Sequence, residues 1–282
     1  MVPAMTSFIE TSTGPVAYDE RGPAGPAPAP DETILMLPSG AHERSDYDEL
    51  RGLLPGHLRT IALDWPAHGD SPAGRGDGGV LSLAGVAEEA LAALAPGGAV
   101  VIGNSVGGFA AARAAIRRPE LVRGLVLVDG GGFQAQTAGV RVFCALMARR
   151  RFLRSVYPAF SAWYMRSRTA ADRRARELSI ATTRRGDGLR AVAELWRTFA
   201  SPEHDLRAEA ASIAAPTLIV WGRSDPVIPL AVAREIEGLI PRSRLAVLET
   251  GHVPHTSDPN GFARELLPFL ASLEAAESRA AA

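Results

Sequence analysis

Lysine is absent from this chain, so all 30 of its lysine-or-arginine positions are arginine. Stretches such as "AEEALAAL" and "AAESRAAA" show a matching excess of alanine, and the two together read as coding bias rather than chemistry. Cysteine is nearly absent as well. The single Cys144 excludes an internal disulfide framework and any cysteine-built metal cluster. No run approaches 18 consecutive apolar residues, so no transmembrane helix and no membrane partner are expected. The N-terminal "MVPAMTSFIETSTG" has no basic n-region and no long apolar segment, which argues against a secretory signal and for a cytoplasmic protein. Net charge is small, −1 at pH 7, and this slightly acidic balance disfavours nucleic acid as a partner.

What the chain does have is 46% hydrophobic residues over 282 positions, enough for one large α/β domain with an insertion. "SFIET" and "PVAYDE" read as a hairpin around Gly14-Pro15, and "RGPAGPAPAPDE" (21–32) reads as loop. Six short runs follow: "TILMLP", "RTIALD", "AVVIGN", "GLVLVD", "PTLIVWG" and "RLAVLE". Each is apolar without alternation, the pattern of a strand buried on both faces. Between them lie helical segments. "SLAGVAEEALAALAP" opens on Ser82 as an N-cap and stops at Pro96, and two others stop at Pro119 and Pro241. Alternation of this kind calls for an α/β fold, a mostly parallel central sheet flanked by helices.

One segment breaks the rhythm. Residues 133–210 contain no strand-like run, are rich in arginine, and hold about half of the aromatics. They are expected to form a helical cap, inserted into a core domain made of 1–132 and 211–282. No repeat of 20 to 50 residues is visible.

Chemistry is carried by "VVIGNSVGGFAAARAA", residues 100 to 115. Its G-x-S-x-G pentad arises by chance roughly once in five such chains, so its placement decides its meaning. Ser105 falls at the C-terminal end of a central strand, on the turn into a helix, where open α/β sheets hold ligands. A bend that tight needs neighbours without side chains, and Gly103 and Gly107 supply them. The helix N-terminus sets the NH of Val106 near a developing oxyanion. A serine nucleophile also needs a base and a group to orient that base. "VWGRSDPVIP" offers Asp225 after one strand and "LETGHVPH" offers His252 after the next, in the order that suits a nucleophile elbow.

At these residues the chain resembles the α/β-hydrolase fold family, over nearly all of its length outside the cap. "LDWPAHGDS" (63–71) is similar to the family's Asp-x-x-Gly-His-Gly-x-Ser turn, with Ala67 in place of the first glycine. "PTLIVWGRSDPVIP" and "GHVPHTSDP" resemble its acid and histidine segments. The resemblance implies Ser105 as nucleophile, His252 as base and Asp225 as acid. Two departures stand out. Where relatives carry His-Gly after the third strand, this chain reads "LMLPSGAHERSDY", leaving Gly40 or Ala41 to give the second oxyanion NH. Ser257 stands where many relatives carry Glu.

Other candidates stand beside these. Asp129 ends the strand "GLVLVD", where some relatives place their acid, but the Asp225 segment fits the commoner pattern. His255 lies three residues past His252, while the latter directly follows the turn glycine. His68 reads as structural, Asp64 as a stabiliser of its own turn, and His42 as a solvated loop residue with substrate contact as the alternative. The six histidines lack metal spacing, so neither metal nor other cofactor is expected. His42, Phe133, Trp163, Tyr164 and Trp196 are the candidate pocket residues. Between 141 and 197 there are fourteen arginines against four acids. A solvated helix face is the simpler account; an anionic substrate group or acidic partner is the functional one.

The expected activity is that of a serine hydrolase forming an acyl-enzyme with a small-molecule ester, lactone or thioester of medium size and partly apolar character. Hydrolysis of a carbon–carbon bond in a ketone or dienone would use the same residues, and a relative that only binds its ligand is the non-enzymatic alternative. A serine at the elbow, rather than aspartate, sets aside dehalogenase and epoxide hydrolase chemistry. Oligomeric state is not legible.

Overall fold

In the computed structural model, which describes residues 5–22, 32–76 and 78–281, eight strands form one sheet. They are β1 (Ser7–Thr11), β2 (Gly14–Arg21), β3 (Thr33–Leu37), β4 (Arg59–Leu63), β5 (Ala99–Asn104), β6 (Val122–Val128), β7 (Thr217–Gly222) and β8 (Ser243–Leu248). The spatial order is β1-β2-β4-β3-β5-β6-β7-β8. The pairings β1–β2 and β2–β4 are antiparallel and the other five are parallel. The expected mostly parallel sheet is therefore the one found. The hairpin turn falls on Ser12 and Thr13, with Gly14 already paired to Thr11. Most of the "RGPAGPAPAPDE" loop lies outside the described residues.

The unalternating strands bury both faces, and successive residues go to opposite cores. Leu35, Leu37, Val101, Leu125, Leu127 and Ile219 join one cluster. That cluster includes residues of α2 (Val80–Leu94), α3 (Val106–Arg117) and α8 (Leu230–Leu239). Ile34, Met36, Val100, Ile102, Val126 and Val220 join a second cluster. It packs on α1 (Asp48–Arg51) and α10 (Pro259–Ala281), with the short α9 (Pro254–Ser257) beside them. Each fully buried Leu, Ile or Val gains about 1.5–3 kcal/mol from leaving water, so the strands are fixed by burial more than by propensity.

Ser82 is not a cap. α2 begins two residues earlier, at Val80, whose NH donates to the hydroxyl of Thr198 at 3.0 Å. A side chain 118 residues away thus does what a local N-cap would do.

Between β6 and β7 the chain forms α4 (Ala138–Met147), α5 (Arg150–Met165), α6 (Ala170–Arg184) and α7 (Gly186–Thr198), with no strand. Thr169 caps α6 in a reciprocal box with Asp172. Leu153, Tyr157 and Tyr164 recur at helical spacing along α5 and form its buried stripe. With Cys144, Val192 and Trp196, Leu153 and Tyr157 make a separate small core, joined by Ala41 from below. The arginines lie mostly outward: Arg149, Arg150, Arg151 and Arg154 are exposed. Among the described residues no helix is long and apolar enough to cross a membrane.

Candidate active site

Ser105 links β5 to α3 with φ +56° and ψ −114°, a left-handed conformation that costs a non-glycine residue of order 1–3 kcal/mol. The surroundings hold it there. Its NH donates to Val128 O at 3.0 Å, and its carbonyl accepts from Gly131 N at 2.8 Å and Phe109 N at 3.0 Å. The sharpness of the bend sets the glycines. A Cβ on Gly103 would overlap the Gly107 carbonyl, and one on Gly107 would overlap the Leu37 carbonyl. Neither obstacle is a flexible side chain, so Gly103→Ala should destabilise the protein by about 3 kcal/mol or more. Chemical denaturation would read this as a lower midpoint at constant slope.

β7 and β8 deliver the other two side chains. His252 Nδ1 donates to Asp225 Oδ2 at 2.6 Å, with both side chains buried. Asp225 Oδ1 faces the other way and accepts from Val227 N at 2.8 Å and Ile228 N at 3.3 Å. The carboxylate is fixed in plane, one oxygen for the backbone and one for the imidazole. Asn104 ties the elbow to the histidine loop, its amide donating to both Val128 O and His252 O at 3.0 Å. Ser105 and His252 line the same cavity, of about 340 Å³. Ser105 Oγ has no hydrogen-bond partner among the described residues. Contacts of this kind commonly tighten only once substrate is bound.

The loop after β3 distinguishes the two candidate oxyanion donors. Ala41 NH donates to His68 Nε2 at 3.0 Å, so it is already used, and Ala41 does not line the cavity. Gly40 does line it, as does Val106, the first residue of α3. His68 Nδ1 in turn faces Pro66 O at 2.9 Å, and burial pushes its pKa down to about 4. A neutral His68 with its proton on Nδ1 satisfies both contacts. Asp64 accepts from the backbone NH groups of Arg44 at 2.8 Å and Asp70 at 2.9 Å, and pairs with the Arg44 guanidinium.

Three of the five pocket candidates line the cavity: Trp163, Tyr164 and Trp196. Phe133 does not; it is fully buried in the core cluster that also holds the buried residues of α3. His42 is neither a pocket residue nor solvated. It is buried, with Nδ1 paired to the Asp46 carboxylate and Nε2 2.7 Å from the Tyr164 hydroxyl, which lies 3.1 Å from that of Tyr157. An aspartate four residues after a loop histidine was the available signal. The cavity wall is mainly apolar, built from Val140, Phe143, Phe160, Phe199 and their neighbours, with Ser39, Gln134, Gln136 and His204 as polar members, and no arginine lines it.

Ser257, the second departure from the family pattern, has a structural role. Its hydroxyl donates to Asp172 Oδ1 at 2.7 Å, beside that of Thr256 at 2.7 Å. A glutamate there would set a second negative charge against buried Asp172. These bonds fasten α6 to the histidine loop. Tyr164 O does the same for α5 by accepting from His252 N at 3.0 Å, an approach so close that only glycine fits at 251. Asp129, set aside as the acid, proves to be packed against it: ligand atoms of Asp129, Asp225 and His252 all lie within 4.8 Å of one another.

A family model described as the alpha/beta hydrolase fold matches residues 32–259. A pimeloyl-[acyl-carrier protein] methyl ester esterase of Yersinia pestis is 29% identical over 225 residues, covering 76% of this chain and 83% of the relative. Among solved structures, a hydrolase from Pseudomonas aeruginosa superimposes with a TM-score of 0.79 at 24% identity, over 94% of this chain and 98% of the other. The enol-lactonase from Burkholderia xenovorans gives 0.80 at 21% identity, over 94% and 100%.

Proposed function

Because the chain belongs to the alpha/beta hydrolase fold family, we propose that it is a serine hydrolase acting through an acyl-enzyme on a medium-sized, partly apolar ester, lactone or thioester. The observation that carries this reading is the strained Ser105 at the wall of an apolar cavity shared with an Asp225-paired His252. Ser105 Oγ attacks the carbonyl carbon while His252 Nε2 takes its proton; Asp225 holds the imidazole in the tautomer that can do so. The NH groups of Val106 and Gly40 stabilise the oxyanion. His252 then protonates the leaving oxygen or sulfur, and a water molecule, deprotonated by the same nitrogen, releases the acid and restores Ser105. The alpha4–alpha7 insertion is the cap over this site.

Relatives named as a methyl ester esterase and an enol-lactonase favour ester chemistry over carbon–carbon cleavage. The apolar wall favours an acyl chain of some length, and its lack of arginine favours a solvated account of the basic helices. A fluorophosphonate probe tests the reading directly: labelling at Ser105 supports it, and an unlabelled, folded protein counts against an activated serine. A series of p-nitrophenyl esters of rising chain length, assayed beside a dienone, then separates the substrate classes. Turnover of the dienone alone would replace ester hydrolysis with carbon–carbon cleavage.

Trp163 is 50% exposed yet lines the cavity, so it stands at the mouth. Trp163→Ala should raise KM for long-chain esters about tenfold, the equivalent of one to two kcal/mol of lost apolar contact, and leave acetate esters nearly unaffected.

A further inference from the structure

Asp129 follows β6 directly, with φ +43°, and is fully buried. One of its oxygens, Oδ1, accepts from Gly222 N at 3.0 Å. The other, Oδ2, receives no hydrogen bond although it is shut away from water. Within 4.8 Å lie ligand atoms of Asp225 and His252. Two carboxylates so close, and out of water, do not both ionise; one keeps a proton. Asp225 is the better anion, because it accepts two backbone NH groups and the imidazole NH, whereas Asp129 accepts one NH.

We propose that Asp129 is held as the neutral acid and donates the hydrogen on Oδ2 to Asp225, as a positioning residue that limits how strongly Asp225 binds a protonated His252. The inference rests on the reading of Asp225 and His252 as acid and base. It explains why Oδ2 finds no donor: it is the donor. Burial, then the charge of Asp225, holds the Asp129 carboxyl well above the usual carboxylate range. A cation shared by the three side chains would need lone pairs that are already spent, since His252 Nδ1 carries the hydrogen given to Asp225. The other groups around His252 add no compensating charge at this point. The Tyr164 and His252 rings meet in a T-shaped contact, His255 is pushed down to about 3 by burial, and His42 faces Asp46 and Tyr164.

The donated hydrogen bond spreads the charge of Asp225 and so weakens its hold on the imidazolium. The test compares Asp129→Asn with Asp129→Ala. In the Asn variant Gly222 NH keeps the amide oxygen as its acceptor, leaving NH2 to face Asp225 as an uncharged donor. The acid limb of kcat/KM is then expected within about 0.3 pH unit of wild type, whereas Ala, with no donor, shifts it upward by about 0.5–1 unit. An ionised Asp129 gives the opposite result: Asn removes a negative charge and moves the limb to lower pH, which would overturn the proposal.

Two readouts need no turnover, so they separate this proposal from the choice of Ser105 as nucleophile. The infrared C=O band of a protonated carboxylic acid should be present in wild type and lost in Asp129→Asn; its absence from wild type refutes the neutral acid. Stability carries the same sign. An acid whose folded pKa is raised from 3.8 stabilises the fold below that value, and this contribution is lost as pH rises toward the folded pKa. Asp129→Asn should therefore gain stability over wild type as pH rises above 3.8, and a pH-independent difference would count against the proton. If Asp129→Ala does not fold, the Asn variant and the infrared band decide alone.

Discussion

Ser105→Ala is expected to lower turnover of an activated ester by about 10⁴–10⁶-fold while leaving the thermal midpoint within about 2 °C of wild type. The loss is large because alanine has no side-chain oxygen with which to attack the carbonyl carbon. Whatever rate persists would come from the oxyanion donors and from binding alone. Stability should hardly change. The Ser105 hydroxyl has no hydrogen-bond partner among the described residues, so alanine leaves no buried group unsatisfied. The three backbone bonds that hold the elbow, to Val128, Gly131 and Phe109, do not involve the side chain. Alanine also pays the same left-handed φ as serine, so the strain is carried over rather than relieved. Circular dichroism and a burst-free ester assay on the same preparation check both halves. Full activity in a folded variant would end the serine mechanism.

The parallel strands were legible because burial on both faces writes itself as unbroken Val, Ile and Leu, a signal that needs no partner to be read. Position in the sheet followed from strand–helix alternation, and with it the placing of Ser105, Asp225 and His252 at strand ends. What failed to be legible was everything fixed by distant side chains. Ser82 looks like a cap in sequence, yet Thr198 from α7 satisfies the helix start at Val80. Ala41 and Gly40 are equivalent on paper until His68 claims the Ala41 NH. Phe133 and Trp163 have the same composition-level meaning, but one lies in the core and the other at the cavity mouth. Asp129 and Asp225 look like rivals for one role in the sequence, because each follows a strand. Adjacent parallel strands, β6 and β7, carry their ends side by side, so the rivals became neighbours.

Asp225→Asn is expected to cost about 10⁴-fold in kcat, more than Asp225→Ala, although asparagine is the nearer match in shape. The reason lies in how the two oxygens are used. Val227 N and Ile228 N both donate to Oδ1, so that position demands an acceptor. An asparagine must place its carbonyl oxygen there, which turns its NH2 toward His252 in place of Oδ2. An amide donor facing Nδ1 forces that nitrogen to accept, and the imidazole proton moves to Nε2, the side that faces the cavity. In that tautomer His252 presents a hydrogen to Ser105 and has no lone pair with which to take one. Alanine removes the orienting group but imposes neither tautomer, so a fraction of molecules keeps a competent base and the loss is expected nearer 10³-fold. Its cost falls on stability instead, because two buried NH groups lose their acceptor, about 1–3 kcal/mol each when left unsatisfied. The pair of variants thus inverts the usual order: the isosteric change should harm catalysis more and folding less. Equal kcat values for the two would mean that Asp225 does not set the tautomer of His252.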